Sequence, residues 1–399
     1  MRIAFLSSEF VTEKADGGLA VYQERVARVL REMGHEPEIF TLRLGNRVPD
    51  VVEYHGVRVE HVRPENNFVL HCLGMLDRRF LRSPWCGVAG YLGIALGLAR
   101  ALERRHQEAP FSIVQSSNTG ACGLFVRRLP RRPHIVRLSS HRGLWWRTDG
   151  IDGSGAKLMI ALERACVRRA NLAYAPSRFV ADECHASGWR TDVRVIRPPW
   201  FNENVSASAS LSGLPSKYLL HFGQIGERKG SDALAAALPL AWREEPELCM
   251  IWAGTVIQAG AYERYQRLWG DKSTQIDWLG TVPKDRMYTL LQHAQATVLP
   301  SRVDNLPNTV IESLMMGIPV LGFAGGSVDE LVESGVNGEL VPLNDVEGLA
   351  RTMVRAWRRN AAWLGPGHRR TAALDEIEPQ TAVTRLLRVF DEEIRKLTA

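Results

Sequence analysis

The chain has 399 residues, of which 45% are hydrophobic and 24% charged, and its formal net charge is +6. This composition excludes a disordered or fibrous chain, and the length favours two or three domains that each bury a core. The six cysteines form no C-x-x-C pair and the first apolar run is too short for a signal peptide, so we expect a cytoplasmic protein with reduced thiols and no zinc motif.

Strand-like apolar segments alternate with helical patterns through the first half of the chain. An amphipathic helical pattern follows the first strand and ends at Gly34, a residue suited to the position after a helix. The longest uncharged run, residues 83–99, is shorter than the roughly 20 residues of a membrane span and is predicted to be a closely packed buried helix. The predicted strands are RIAFLSS, EPEIFTL, FSIVQSS, HIVRLSS and NLAYAPS.

The same alternation restarts after a small, polar segment that we interpret as a linker, residues 202–216. Such an order predicts parallel, doubly wound sheets with helices on both faces. We therefore predict an α/β protein with domains at 1–201 and 217–378, and a last helix, 379–399, that packs back on the first domain. The strands predicted for the second half are KYLLHFG, ELCMIWAG, IDWLG, ATVLPS and PVLGF.

Ligands of open α/β sheets bind beyond the carboxyl ends of the strands, so the residues that follow each strand are candidates for a site. Gly17 and Gly18 precede a helix and let the backbone approach a phosphate, although a flexible turn is the simpler explanation of the pair taken alone. His141 follows the fourth strand and is either a proton carrier or an ordinary surface histidine. Arg228 and Lys229 precede another helix and suit a diphosphate, or are simply a charged loop.

The segment PSRVDNLPNTVIESLMMGIPV, residues 300–320, places two acids, Asp304 and Glu312, across a turn from strand to helix. A purely local interpretation is available for each acid. Glu312 would complete a capping box with Thr309 as the N-cap residue, and Asp304 would form an Asx-type turn. These local interpretations do not explain why acids and glycines gather at several strand ends of the same half.

The stretch PSRVDNLPNTVIESLMMGIPVLGFAGGSVDELVESGVNGELVP resembles the family 4 retaining glycosyltransferases, which have the GT-B fold of two Rossmann-like domains facing a cleft. The family's E-x7-E motif has its counterpart in Asp304-x7-Glu312, and the G-I-P-V, GG-x-x-x-E and G-x-L-V-P pieces match as well. The segments LERACVRRANLAYAPS and DWLGTV are also similar to the family, so the resemblance spans most of the chain, and residues 40–110 contribute least.

The resemblance implies roles for individual residues of this chain. Glu312 would hold the ribose hydroxyls of the donor, Asp304 would lie near the donor sugar, and Lys229 would bind the leaving diphosphate. The other implied donor contacts are Gly17 and Gly18, the backbone of Asn305, Leu306 and Asn308, and the amides of Thr309 and Val310. Asp304 is one methylene shorter than the family's glutamate, Gln224 stands where the family often has an arginine that Arg228 would replace, and His141 lies one or two residues beyond the family's histidine.

The implied activity is a retaining, hexosyltransferase-type transfer of a sugar from a nucleotide diphosphate sugar to an acceptor hydroxyl, in polysaccharide, glycolipid or other glycoconjugate biosynthesis. No cofactor is expected, and no metal, because no D-x-D motif lies at a strand end. Two alternatives stay open: a nucleotide-sugar epimerase of the same fold, and a non-catalytic protein that binds the nucleotide sugar.

Charge is unevenly distributed between the halves: residues 1–200 carry 30 Lys and Arg against 20 Asp and Glu, and residues 201–399 carry 20 against 24. No nucleic-acid motif accompanies the basic half, so no nucleic-acid partner is predicted. Residues 75–85, MLDRRFLRSPW, mix arginine with large apolar side chains. They predict peripheral contact with the inner face of the membrane, or else a loop that covers the site.

Overall fold

The structure, a computed structural model, describes residues 1–12, 18–43, 49–65, 87–148, 150–201, 212–359 and 371–398. The chain divides into two compact units. The first unit comprises Met1–Phe201 together with Glu376–Ala399, and the second comprises Asn202–Asp375. Most of the predicted linker, residues 202–211, lies outside the described residues.

The first unit is built on an eight-stranded sheet with the order β3-β4-β2-β1-β5-β6-β7-β8, in which every pair is parallel except β3 with β4. Its strands are β1 (Arg2–Ser7), β2 (Glu36–Leu42), β3 (Val51–Tyr54), β4 (Val57–Val62), β5 (Ile113–Ser117), β6 (His134–Arg137), β7 (Leu172–Ala175) and β8 (Val193–Val195). Its first five helices are α1 (Gly18–Glu32), α2 (Gly87–Glu108), α3 (Arg142–Thr148), α4 (Ser154–Arg169) and α5 (Arg178–Ala186).

The second unit contains a six-stranded, all-parallel sheet with the order β11-β10-β9-β12-β13-β14. Its strands are β9 (Leu219–Ile225), β10 (Met250–Val256), β11 (Ile276–Gly280), β12 (Thr297–Val298), β13 (Val320–Phe323) and β14 (Gly338–Val341). The helices are α6 (Ser231–Glu244), α7 (Ala261–Trp269), α8 (Lys284–His293), α9 (Asn308–Met315), α10 (Val346–Arg358) and α11 (Ala372–Glu376), which ends at the boundary between the units. The predicted fold class, two parallel-sheet α/β domains, is confirmed.

The last helix, α12 (Pro379–Thr398), lies in the first unit and packs beside α1. Val383, Leu386 and Phe390 of α12 are buried in the same apolar cluster as Tyr22 and Val26 of α1. The amphipathic pattern of α12 therefore buries its apolar stripe against the first sheet's helical layer, although the chain has passed through the whole second unit in between.

Two strands that the sequence analysis did not predict, β3 and β4, form an antiparallel hairpin at the edge of the first sheet. Its two-residue turn is His55-Gly56, and both residues have positive φ, 48° and 74°. This is the geometry of a type I′ turn, whose twist matches that of the flanking strands.

Helix α2 confirms the closely packed helix predicted from the uncharged run, as far as the described residues reach, from Gly87 onward. A Cβ on Gly93 would lie 2.7 Å from the Glu65 carbonyl oxygen, and one on Gly97 would lie 2.6 Å from that of Arg63. Glycine is needed at both positions because the backbone that leaves β4 passes so close. No helix among the described residues has both the length and the apolar character to cross a bilayer.

Candidate active site

The loop that follows β9 turns tightly before α6 begins. Glu227–Lys229 form a single 3-10 turn, and Gly230 takes a left-handed conformation with φ 72° and ψ 18°. A Cβ on Gly230 would lie 2.8 Å from the carbonyl carbon of Pro300 and closer still to its oxygen. The loop after β9 therefore touches the loop after β12 at backbone distance, and only glycine fits at the contact.

Lys229 and Asp304, which the sequence analysis assigned to one site, are in contact. The Lys229 Nζ donates to the Asp304 Oδ2 as an ion pair. The two side chains are 18% and 11% exposed, so the pair is largely withdrawn from water yet open at one side. The other Asp304 oxygen, Oδ1, accepts from the Asn305 amide at 3.0 Å. A fixed cation thus stands beside the turn that leads into α9.

Arg302, which was not predicted as a site residue, connects the loop after β12 to the loop after β9 and to the start of α6. Its amide donates to the Arg228 carbonyl at 3.0 Å. Its guanidinium donates to both carboxylate oxygens of Asp232, at 2.6 Å and 2.8 Å. Such a two-pronged pair fixes geometry as well as charge. No local pattern signals this role, because the two loops meet only in the folded unit.

Arg228 lies one residue before Lys229 and donates through Nη2 to the Gln224 Oε1 at 3.0 Å. The expectation that Arg228 supplies the charge of the family's arginine stays a prediction. The hydrogen bond holds the guanidinium of Arg228 beside the side chain of Gln224.

Helix α9 begins at Asn308, with Pro307 as its N-cap residue and no side chain capping the first turn. The capping-box interpretation of Thr309 and Glu312 is therefore wrong. Thr309 is the second helical residue and Glu312 the fifth, so the two cannot bond reciprocally across an N-cap. The difference arises because α9 begins two residues before the capping box would require, with Pro307 as the extended residue (φ −71°, ψ 113°) that precedes it.

The first turn of α9 lies against the end of β9. A Cβ on Gly223, whose φ is 104°, would lie 2.9 Å from the Thr309 Cγ2. The amide of Val310 donates within the turn to the Pro307 carbonyl at 3.1 Å. Leu306 and Val310 are buried, Asn308 is exposed, and Asn305, Thr309 and Glu312 are half-buried. The donor-binding residues predicted from 305 to 312 therefore lie in and just before the first turns of α9, and the first turn lies against the end of β9. Their roles stay predictions.

His141, the site residue predicted in the first unit, is 3% exposed and forms the N-cap of α3. Its Nδ1 accepts from the Leu144 amide at 3.1 Å, and its ring lies 4.4 Å from that of Trp189 between centroids. Burial and the nearby Arg147 lower the pKa of His141 to about 4, so the ring is neutral near pH 7 with its proton on Nε2. In the described part of the chain this Nε2 has no hydrogen-bond partner.

A buried acidic residue that pairs with Arg142, the residue after His141, was not identified from the sequence. Glu163 of α4 is fully buried, accepts from the Gly120 amide at 3.1 Å and pairs with the Arg142 Nε at 2.9 Å. Asn118 connects this pair to the loop after β6, since its Nδ2 donates to the Ser140 carbonyl at 2.6 Å and to the Glu163 Oε2 at 3.4 Å. The network holds the loops that follow β5 and β6. Glu163 lies in the segment LERACVRRANLAYAPS, but its pattern there is that of an ordinary helix.

The remaining predicted features belong to the first unit or lie outside the described residues. Gly18 is the first residue of α1, and a Cβ added to it would have no atom within 4 Å. Gly17 and the segment 75–85 lie outside the described residues, so their predicted contacts with donor and membrane stay predictions.

Family comparisons assign both units. Residues 17–200 match the family described as "Glycosyl transferase 4-like domain". Residues 216–359 match the family described as "Glycosyl transferases group 1". The chain belongs to the group 1 glycosyltransferases. The predicted family and the predicted activity class, sugar transfer, are thus confirmed.

Relatives of this glycosyltransferase match most of its length at low identity. The D-inositol 3-phosphate glycosyltransferase of Nocardiopsis dassonvillei is 25% identical over 385 residues, which cover 89% of this chain and 86% of the relative. The 2-deoxystreptamine N-acetyl-D-glucosaminyltransferase of Streptomyces fradiae is 24% identical over 375 residues, which cover 84% of this chain and 82% of the relative.

Solved glycosyltransferase structures share the fold. Sucrose-phosphate synthase from Thermosynechococcus elongatus superimposes with a TM-score of 0.72 at 16% identity, covering 98% of each chain. Anabaena HepE in complex with UDP and glucose superimposes with a TM-score of 0.71 at 16% identity, covering 98% of this chain and all of HepE. At this identity the likeness concerns the fold of the glycosyltransferase.

Proposed function

We propose that the enzyme is a retaining glycosyltransferase that takes its sugar from a nucleotide diphosphate sugar without a metal ion. The observation that carries the proposal is the Lys229–Asp304 ion pair, held at the loop that precedes α6 and beside the uncapped first turn of α9. A fixed cation and the amino end of a helix both favour a phosphate group. A donor diphosphate placed there would contact both.

The reaction breaks the bond between the anomeric carbon and the oxygen of the leaving phosphate, and the electron pair of that bond passes to this oxygen. Negative charge therefore grows on the diphosphate in the transition state, where Lys229 and the first amides of α9 would stabilise it. Arg228, held by Gln224 at 3.0 Å, would add a second cation. Their charge does the work that a divalent metal performs in other phosphate sites.

The acceptor hydroxyl would attack the anomeric carbon on the face that the phosphate leaves. Its proton then passes to the departing phosphate oxygen, so the product keeps the configuration of the donor and no separate general base is required. In this scheme Asp304 and Glu312 bind and orient the donor rather than act as the acid and base pair of an inverting enzyme.

Asp304 also pairs with Lys229 before the donor binds. It neutralises Lys229 in a largely buried position, where an isolated ammonium would be costly. A bound diphosphate would take over part of this role. Lys229 is thus held in place before the donor binds.

The relatives narrow the choice of donor to test first. The HepE structures contain UDP, UDP with glucose, and UDP-glucose. We therefore propose UDP sugars as the first donors to test. A thermal-shift panel of UDP, GDP and ADP sugars tests the donor, because a ligand that binds the folded state raises the melting temperature.

Two substitutions test the proposed chemistry, with release of nucleoside diphosphate from the preferred donor as the assay. Lys229→Met is expected to lower turnover by about 100- to 1,000-fold, as the loss of a group that stabilises transition-state charge does elsewhere. Glu312→Ala is expected to lower turnover by about 100-fold, because the donor loses a group that orients it. Lys272→Met is the matched control, since this half-buried lysine of the same unit donates to the Pro246 carbonyl at 2.9 Å and has no assigned role in the site.

Full turnover in both site variants would contradict the proposed function. The same assay separates the alternatives. An epimerase converts the donor sugar when no acceptor is present and releases no nucleoside diphosphate. A non-catalytic protein gives a thermal shift with the donor but no turnover in the wild-type chain.

A further inference from the structure

A buried hydrogen-bond chain lies directly beneath the Lys229 loop. His221 of β9 is 1% exposed and its two ring nitrogens are both bonded. Nδ1 lies 2.8 Å from the Val298 carbonyl of β12, and Nε2 lies 2.9 Å from the Ser231 Oγ at the start of α6. The Ser231 Oγ in turn accepts from the Gly226 amide at 3.0 Å. One side chain thus connects β9, β12 and the beginning of α6.

The direction of every bond in this chain follows from chemistry. A carbonyl oxygen only accepts, so the ring proton of His221 must be on Nδ1. Nε2 therefore accepts from the Ser231 hydroxyl, and that hydroxyl keeps a lone pair for the Gly226 amide. Burial lowers the pKa of His221 to about 4, and Lys229 adds to this effect, so the ring is neutral near pH 7.

The chain closes the turn that carries Lys229. Both backbone polar groups of Gly226 are hydrogen-bonded. Its amide donates to the Ser231 Oγ, and its carbonyl accepts from the Ser231 amide at 3.2 Å and from the Lys229 amide at 3.0 Å. Ser231 therefore forms two hydrogen bonds with Gly226, one through its hydroxyl and one through its amide. His221 connects this closed turn to Val298, which ends the strand that leads to Asp304.

We propose that His221 and Ser231 are positioning residues for sugar transfer, which hold the turn 226–231 in the shape that presents Lys229 to the leaving diphosphate. Both side chains are buried, so they act through Lys229 and do not touch the substrate. The proposal rests on the function proposed above. It assigns a role in catalysis to two residues that lie beneath the site rather than in it.

A double-mutant cycle tests this role by release of nucleoside diphosphate from the donor that gives the largest thermal shift. Ser231→Ala in the wild-type chain is expected to lower kcat by about 10- to 100-fold, because misplacing a reacting group by about 1 Å has effects of this size. In a Lys229→Met chain the same Ser231→Ala change is expected to alter kcat by less than twofold, since no lysine remains to be positioned.

A general loss of stability would instead lower kcat by the same factor in both backgrounds, and that result would overturn the proposal. Wild-type kcat in Ser231→Ala would overturn it as well. The proposed function fails only if Lys229→Met and Glu312→Ala both keep wild-type turnover, so the two failures are distinguishable. Wild-type turnover in Lys229→Met alone would overturn the present proposal, because there would be no catalytic lysine to position.

Two histidine variants keep the test available if Ser231→Ala does not fold. His221→Gln places an amide oxygen near the Nε2 position, where it can accept from Ser231, whereas His221→Asn reaches only the Nδ1 position and loses that bond. We expect His221→Gln to retain at least a third of the wild-type kcat and His221→Asn to lose tenfold or more. Equal kcat values in the two variants would contradict the proposed role of the Ser231 bond.

Discussion

Two glycines that begin helices in the second unit allow a matched test of the contact between the site loops. Gly230 has φ 72° and ψ 18° before α6, and Gly260 has φ 70° and ψ 10° before α7. Their backbone conformations are therefore almost identical. Their surroundings differ, because a Cβ on Gly230 would lie 2.8 Å from the Pro300 carbonyl carbon, whereas one on Gly260 would meet nothing closer than the Arg264 Nη1 at 3.9 Å.

This difference sets the expected magnitudes for Gly230→Ala and Gly260→Ala. Both variants place an alanine in the left-handed region, which costs about 1–2 kcal/mol. Gly230→Ala must in addition push the two site loops apart, and overpacking of this kind typically costs about 1–3 kcal/mol more. We expect Gly230→Ala to lower the free energy of unfolding by about 2–5 kcal/mol and Gly260→Ala by about 1–2 kcal/mol.

Thermal unfolding of both variants measures the difference. For a domain of 150–250 residues, 1 kcal/mol shifts Tm by about 2–4 °C. The extra cost in Gly230→Ala therefore predicts a Tm about 2–12 °C below that of Gly260→Ala. Equal Tm values would refute the reasoning that backbone contact between the loops requires a glycine at 230.

Two further predictions concern pH and metal ions. Burial raises the pKa of Glu163 from 4.5 to about 7, so between these pH values the folded state holds a proton that the unfolded state releases. The free energy of unfolding of the wild-type chain should therefore fall by about 2–3 kcal/mol, relative to that of Glu163→Gln, as pH rises through this range. Tm curves of the two proteins that stay parallel between pH 5 and 7.5 would contradict this assignment. Since Lys229 and Arg228 are proposed to neutralise the diphosphate, EDTA should leave turnover unchanged, and a loss of activity that Mg²⁺ restores would show that a metal takes part.

Local sequence patterns were sufficient to predict the fold class and most of the elements. Buried parallel strands appear as continuous apolar runs, and amphipathic helices show apolar residues with a period of 3.6. Both patterns can be recognised within a short segment of sequence. The short strands β3, β4, β8 and β14 were not predicted. All four lie towards the edges of their sheets, and partly exposed residues interrupt the apolar signal in each.

The sequence by itself determined which residues follow the strands, and among them were Lys229 and Asp304 in the loops and Glu312 in the helix that comes next. Only the tertiary structure decided what those residues contact. Lys229 and Asp304 are 75 positions apart, and His221 reaches Val298 across 77 positions, so no local pattern could show either bond. The physical reason is that parallel strands distant in the chain bring their carboxyl ends to one edge of a sheet, where hydrogen bonds between loops then select the partners.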